Sequence, residues 1–194
     1  MALDACYQAI PYEPLLKRAM QDRDAAEGAV QFFDTLATDD ISNFWDEPIC
    51  LELAPVARRI VTERPGILDR RLSTRGWDAV YWLLAPNRRN QQEQDPTGLA
   101  EIAVFGAEPF ASGATATQGF PLRFVRPPTA RTVAEYIESS LDSAARLFDA
   151  EAMKASSVYK GPWDRDHLLD LLAKYAQLYR LAADLDECVL VVLD

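Results

Sequence analysis

Histidine is almost missing from this 194-residue chain: His167 is its only copy. A zinc-type metal site wants three or four ligands, and a proton relay wants a partner beyond the imidazole itself. One His beside Asp164, Asp166 and Asp170 is therefore read as an exposed side chain in the first turn of a helix, where the macrodipole disfavours positive charge. Cysteine is scarce as well. Cys6, Cys50 and Cys188 are odd in number and far apart, matching neither a disulfide framework nor a paired zinc motif. Buried, inert thiols in a reducing, cytoplasmic setting are expected. Eight glycines scattered over the chain form neither a phosphate-cradling Gly-Lys-Ser/Thr loop nor a G-x-G-x-x-G turn, so no nucleotide cofactor is expected. Ser139, Ser140, Ser156 and Ser157 lack the G-x-S-x-G setting of a nucleophile elbow. No apolar run approaches the roughly 20 residues of a membrane span, and the first thirty residues lack the basic start and apolar core of an export signal. A cytoplasmic protein with no metal, no cofactor and no membrane partner is the expectation.

What the chain has is apolar bulk and acid. It is 49% hydrophobic, with four Trp, seven Tyr and eight Phe. That is enough for one domain that buries roughly 70% of its unfolded surface. The net charge of −10 is uneven: residues 1–50 carry ten acids against three bases, and residues 51–77 carry six Arg against three acids. Acidity of this kind repels phosphate backbones and argues against nucleic acid as a partner. Arg58, Arg59, Arg64, Arg70 and Arg71 are expected to pair internally with the acidic N-terminal third.

The periodic stretches read as follows. A strand is expected over residues 4–10, a short helix over 15–20, and a helix capped by Asp24 with Ala25, Ala29, Phe32, Phe33 and Leu36 on one face. A helix opens at Pro48, carries Pro55 and stops at Pro65-Gly66. Trp77, Val80, Tyr81, Leu83 and Leu84 mark a helix apolar on most sides. Strands are read at Ala100 to Phe105 and Phe120 to Val125. A helix capped by Thr129 has Val133, Tyr136, Ile137, Leu141, Ala144 and Phe148 as its apolar face. The last thirty residues organise the rest: Leu168, Leu171, Leu172, Tyr175, Leu178, Tyr179 and Ala182 make one helical stripe, with Asp164 as its cap. Cys188 to Leu193 follows without polar alternation, as a strand covered on both faces. Together these predict an α+β fold: a single compact domain over 1–194, with several helices packed on a small mixed sheet that includes the C-terminal strand.

Several segments in this order resemble the YfbM-like family of bacterial proteins of unknown function. They are Trp77-Asp78-Ala79-Val80-Tyr81-Trp82-Leu83-Leu84, Ala103-Val104-Phe105-Gly106-Ala107-Glu108-Pro109, Gln118-Gly119-Phe120 into Thr129 to Val133, Phe148-Asp149 to Met153, and Val158-Tyr159 with Trp163. The resemblance spans about 66–194 and leaves residues 1–65 as a more divergent, acidic helical part. Two departures stand out. Tyr81 occupies a position where family members often carry His, so a His-dependent activity would be lost here, and the Tyr159-Lys160-Gly161-Pro162-Trp163 segment is longer than the family pattern. The resemblance implies a compact α+β fold and brings no established reaction or cofactor.

Two candidate sites remain. Asp39, Asp40, Asp46 and Glu47 flank Phe44-Trp45, a pattern of exposed aromatics beside charge that suits a binding epitope; its commoner role is a solvated acidic loop. Trp77, Tyr81, Tyr159 and Trp163 could line a ligand pocket, although Trp77 and Tyr81 at helical spacing more often belong to a core. The expectation is a non-catalytic protein–protein interaction protein, with an immunity protein that neutralises a bacterial toxin or effector as its concrete form. The alternative is a small hydrolase that uses paired carboxylates on an unknown substrate.

Overall fold

The computed structural model describes residues 3–31, 33–37, 48–85 and 98–194. Five strands form one sheet in the order β2 (Arg71–Thr74), β1 (Ala5–Ile10), β5 (Cys188–Leu193), β4 (Arg123–Val125) and β3 (Glu108–Pro109). The sheet was expected to be mixed, but every pairing is antiparallel. β5 sits in the middle, with Ala5 opposite Leu193 and Ile10 opposite Cys188.

The uniform apolar run of β5 has a direct cause. Val189, Val191 and Leu193 pack into one core, and Cys188, Leu190 and Val192 into a second on the other face. Antiparallel sheets usually leave one face in water and alternate accordingly; here helices cover both, so no position of β5 is free to be polar.

The first layer holds α5 (Trp77–Leu84), α6 (Leu99–Phe105), α7 (Pro127–Leu147), α8 (Ala150–Ala155) and α9 (Arg165–Asp184). α7 and α9 carry the stripes expected of them, Val133 with Ile137 and Ala144, and Leu168 with Leu172, Tyr175 and Tyr179, all buried. Asp164 caps α9 by accepting from the His167 backbone N–H at 2.9 Å. The second layer holds α1 (Lys17–Ala19), α2 (Arg23–Gln31), α3 (Phe33–Ala37) and α4 (Pro48–Glu63), with the loop around Phe110 and Leu122. Among the described residues no helix is long and apolar enough to cross a membrane.

Four local expectations are corrected. Residues 100–105 are helical, in α6, with Gly98 and Gly106 at positive φ at its two ends. Buried Ala100, Ala103 and Val104 recur at three and four residues, a helical period hidden in a segment too short and too apolar to show it. Asp22, two residues before Asp24, caps α2, accepting from the backbone N–H groups of Asp24 and Ala25 at 2.9 and 3.3 Å. α7 starts at Pro127, ahead of Thr129, because proline is preorganised for the first helical position. The strand expected from Phe120 is β4 alone, Arg123–Val125, and the short polar strands β2 and β3 went unread.

Candidate functional site

The acidic–aromatic segment Asp39, Asp40, Phe44, Trp45, Asp46 and Glu47 lies outside the described residues. The four pocket candidates lie together. Trp77 and Tyr159 meet with ring centroids 5.8 Å apart, and Tyr81 turns edge-on to Phe105 at 5.1 Å. Trp163 Nε1 donates to the Tyr159 carbonyl at 3.0 Å, while its ring stacks on His167 at 6.2 Å. Their polar atoms hold backbone. Trp77 Nε1 donates to the Leu3 carbonyl at 3.3 Å, the Leu3 N–H donates to the Tyr159 hydroxyl at 2.6 Å, and the Tyr159 N–H donates to Asp78 at 2.9 Å. The cluster thus clasps the chain just ahead of β1.

The expected pairing of arginines with the acidic N-terminal third holds for Arg71, whose Nη1 reaches Asp34 at 2.7 Å. Arg64 and Arg70 turn instead to Glu187, a fully buried carboxylate between α9 and β5; Arg64 meets its Oε1 at 3.1 Å, and Arg70 bonds the same oxygen. The residues sit far apart in sequence, so their meeting had no local signal. Arg59 pairs with Glu63 at 3.8 Å.

The thiols differ among themselves. Cys50 and Cys188 are buried, and burial, opposed by the nearby Arg126 charge, pushes the Cys188 thiol up to about 12. It stays protonated near neutral pH and cannot serve as a nucleophile there. Cys6, expected to be buried, is half-exposed on β1, because its side chain opens into a cleft of about 130 Å³ beside Asp34, where Arg71 Nε donates to its sulfur at 3.2 Å.

The surface with the character of a binding face is the outer side of α9. Leu181 and Leu185, one turn apart and each 39% exposed, stand off the buried stripe. Grooves run on both sides of Leu181. One, of about 440 Å³, lies against α7 with Leu141, Ala173 and Ala176 in its walls. The other, of about 410 Å³, lies against Gly66, Arg70 and Leu72. Charges around this centre are neutralised in pairs: Arg180 with Glu138 at 2.6 Å, Lys174 with Asp170 at 2.7 Å and Arg131 with Asp184 at 2.9 Å. An apolar centre inside a paired polar rim is the anatomy of a protein-binding surface. The signal was present in the sequence as leucines at 181 and 185 on an otherwise polar helix face. Among the described residues, no group of three or more His, Cys, Asp or Glu gathers as a metal site would.

Residues 1–192 match the family model described as Domain of unknown function (DUF1877). The chain belongs to that family. The match takes in the N-terminal residues that the resemblance had left aside. A solved structure, that of the protein of unknown function YfbM from Escherichia coli, is similar over 98% of this chain and 99% of that one, with a TM-score of 0.58 and 12% identity. At that identity the likeness concerns the fold alone. No curated protein matches the chain.

Proposed function

We propose that this DUF1877 member works by non-catalytic recognition of another protein, which docks on the outer face of α9. The observation that carries the reading is the exposed pair Leu181 and Leu185, with a groove on either side of Leu181 and internally paired charges around it. The occupant is a basic protein with an apolar anchor. At net charge −10 the chain attracts such a partner over long range and repels a second copy of itself, while the neutral face lets the apolar contact form without stranding a charge. An immunity protein that covers a toxin is the concrete form of this reading.

The test compares the wild-type chain with a Leu181→Asp/Leu185→Asp variant as bait for crosslinking in the native host, with circular dichroism to confirm the variant's fold. Both leucines are exposed, so the variant should fold. The reading expects a basic protein captured by the wild type, lost with the variant and released as salt rises. Equal capture by both baits, or a partner that is a second copy of the chain, overturns it. Turnover of generic glycoside, ester or phosphate substrates, abolished by a carboxylate substitution, would establish the hydrolase instead.

A further inference from the structure

On the side of the molecule where α7 begins, a cleft of about 490 Å³ is lined by Tyr12, Glu13, Arg64, Arg126, Asp186 and Cys188. Its volume falls in the range of small-ligand sites. Two guanidinium groups from separate parts of the chain border it, one just after α4 and one just before α7, and both are fixed from behind. Arg126 Nε donates to both Glu108 carboxylate oxygens, at 2.8 and 3.0 Å, and its guanidinium carbon lies 4.4 Å from the Tyr12 ring centroid and 5.3 Å from that of Phe124. Arg64 uses one Nη for the Leu185 carbonyl at 2.9 Å and for Glu187 at 3.1 Å; its Nε and other Nη make no hydrogen bond among the described residues. Guanidinium forks held in place lose little freedom when they close on an oxyanion.

The acids around the cleft are mostly engaged. Glu13 holds Lys17 at 2.7 Å, Glu108 holds Arg126, and Glu187 holds Arg64 and Arg70. Asp186 differs: it forms no ion pair among the described residues, is exposed, and is held at φ 54°. The protonated Cys188 thiol adds neither a charge nor a nucleophile to the wall. Pro127 and Pro128, at the start of α7, complete the wall.

We propose that this cleft binds a small ligand through a phosphate or carboxylate group held by Arg64 and Arg126, with the Asp186 carboxylate at its rim limiting the affinity by repulsion. The cleft adjoins the α9 face, since Arg64 bonds the Leu185 carbonyl, but ligand titration does not read the leucine side chains, so either proposal can fail without the other.

The experiment titrates the full chain with inorganic phosphate, glycerol phosphate and citrate in parallel, against chloride at matched ionic strength, and follows the arginine side-chain NMR signals. Saturable shifts of Arg64 and Arg126 are expected, and the tighter of the phosphate and carboxylate arms identifies the ligand's anionic group. Arg126→Gln should weaken binding about tenfold, the loss of a charge-assisted pair of hydrogen bonds. Asp186→Asn, which keeps a side chain tolerant of positive φ, should tighten it about two- to threefold by removing a repelling charge, an effect that no purely structural role produces. Shifts that match chloride and fail to saturate by about 50 mM overturn the proposal. So does a folded Arg126→Gln chain that binds as the wild type does, or an Asp186→Asn chain with unchanged affinity.

Discussion

Set side by side, the two layers that cover the sheet differ in how they treat their polar atoms. The α5–α9 layer places three tyrosines, Tyr7, Tyr175 and Tyr179, in full burial. Two of them cap α6 from inside: the Tyr7 hydroxyl donates to the Val104 carbonyl and the Tyr179 hydroxyl to the Ala103 carbonyl, each at 2.9 Å. The α1–α4 layer buries Cys50 and Cys188 and makes its firmest polar ties at the edge, through Arg71 to Asp34 and through Arg64 and Arg70 to Glu187. The tyrosines inside the first layer make neutral hydrogen bonds to helix carbonyls and its ion pairs lie on the exposed α7–α9 rim, whereas the second layer is tied to a fully buried carboxylate. The difference teaches that the second layer depends more heavily on a few ionised groups.

Breaking that dependence should have the largest effect. Glu187→Gln leaves two partly buried guanidinium groups facing a neutral amide and should cost about 3 kcal/mol in urea unfolding. Hydrogen exchange on the same variant should rise in α4 and the Ile67–Asp69 turn before it rises in α7 or α9. On the other face, Tyr179→Phe leaves the Ala103 carbonyl unpaired and should cost about 1–2 kcal/mol, with the exchange rise confined to α6.

Alkali sharpens the comparison through a reporter on each face. Burial raises Tyr7, Tyr175 and Tyr179 well above the usual tyrosine value, and raises Cys188 from 9.0 to about 12. Below those ordinary values both folded and unfolded chains are protonated and the native state keeps its full stability. As pH climbs past 9, the unfolded chain ionises first, so stability should fall progressively towards pH 12. Denaturant midpoints measured across that range check the slope, and Cys188→Ser should flatten its first part.

The smallest effect belongs to the α7–α9 rim. The Arg180 hydrogen bond holds the Glu138 carboxyl below its usual value of 4.5. Its contribution is present above that pH and disappears as pH falls through the lowered value. Glu138→Gln should cost only about a few tenths of a kcal/mol at pH 7, because the pair is solvent-screened, and progressively less as pH falls through the lowered value.

Legibility in the sequence followed length and period. α9, α7 and α5 were readable because a long stripe repeats itself, and β5 because nothing polar interrupts it. α6 was mistaken for a strand because seven residues cannot show a period, and the carbonyl caps that sustain it come from Tyr7 and Tyr179, distant in the chain. β2, Arg71-Leu72-Ser73-Thr74, escaped because an edge strand needs little apolar content. Of the surfaces, the α9 leucines are visible in the sequence only as residues off the stripe. The Arg64, Arg126 and Asp186 grouping had no local signature, since three separate parts of the chain converge to make it.

The pairing of Ala5 with Leu193 at the middle of the sheet carries a consequence for how the molecule breaks. The first strand and the fifth seal each other in, so neither a leading nor a trailing fragment can close its own interior. A protease cut in an intervening loop should therefore leave two pieces that still migrate as one particle and separate only in denaturant. Mixed after separate purification, those pieces should find each other again slowly, because the decisive contact joins residues far apart along the chain.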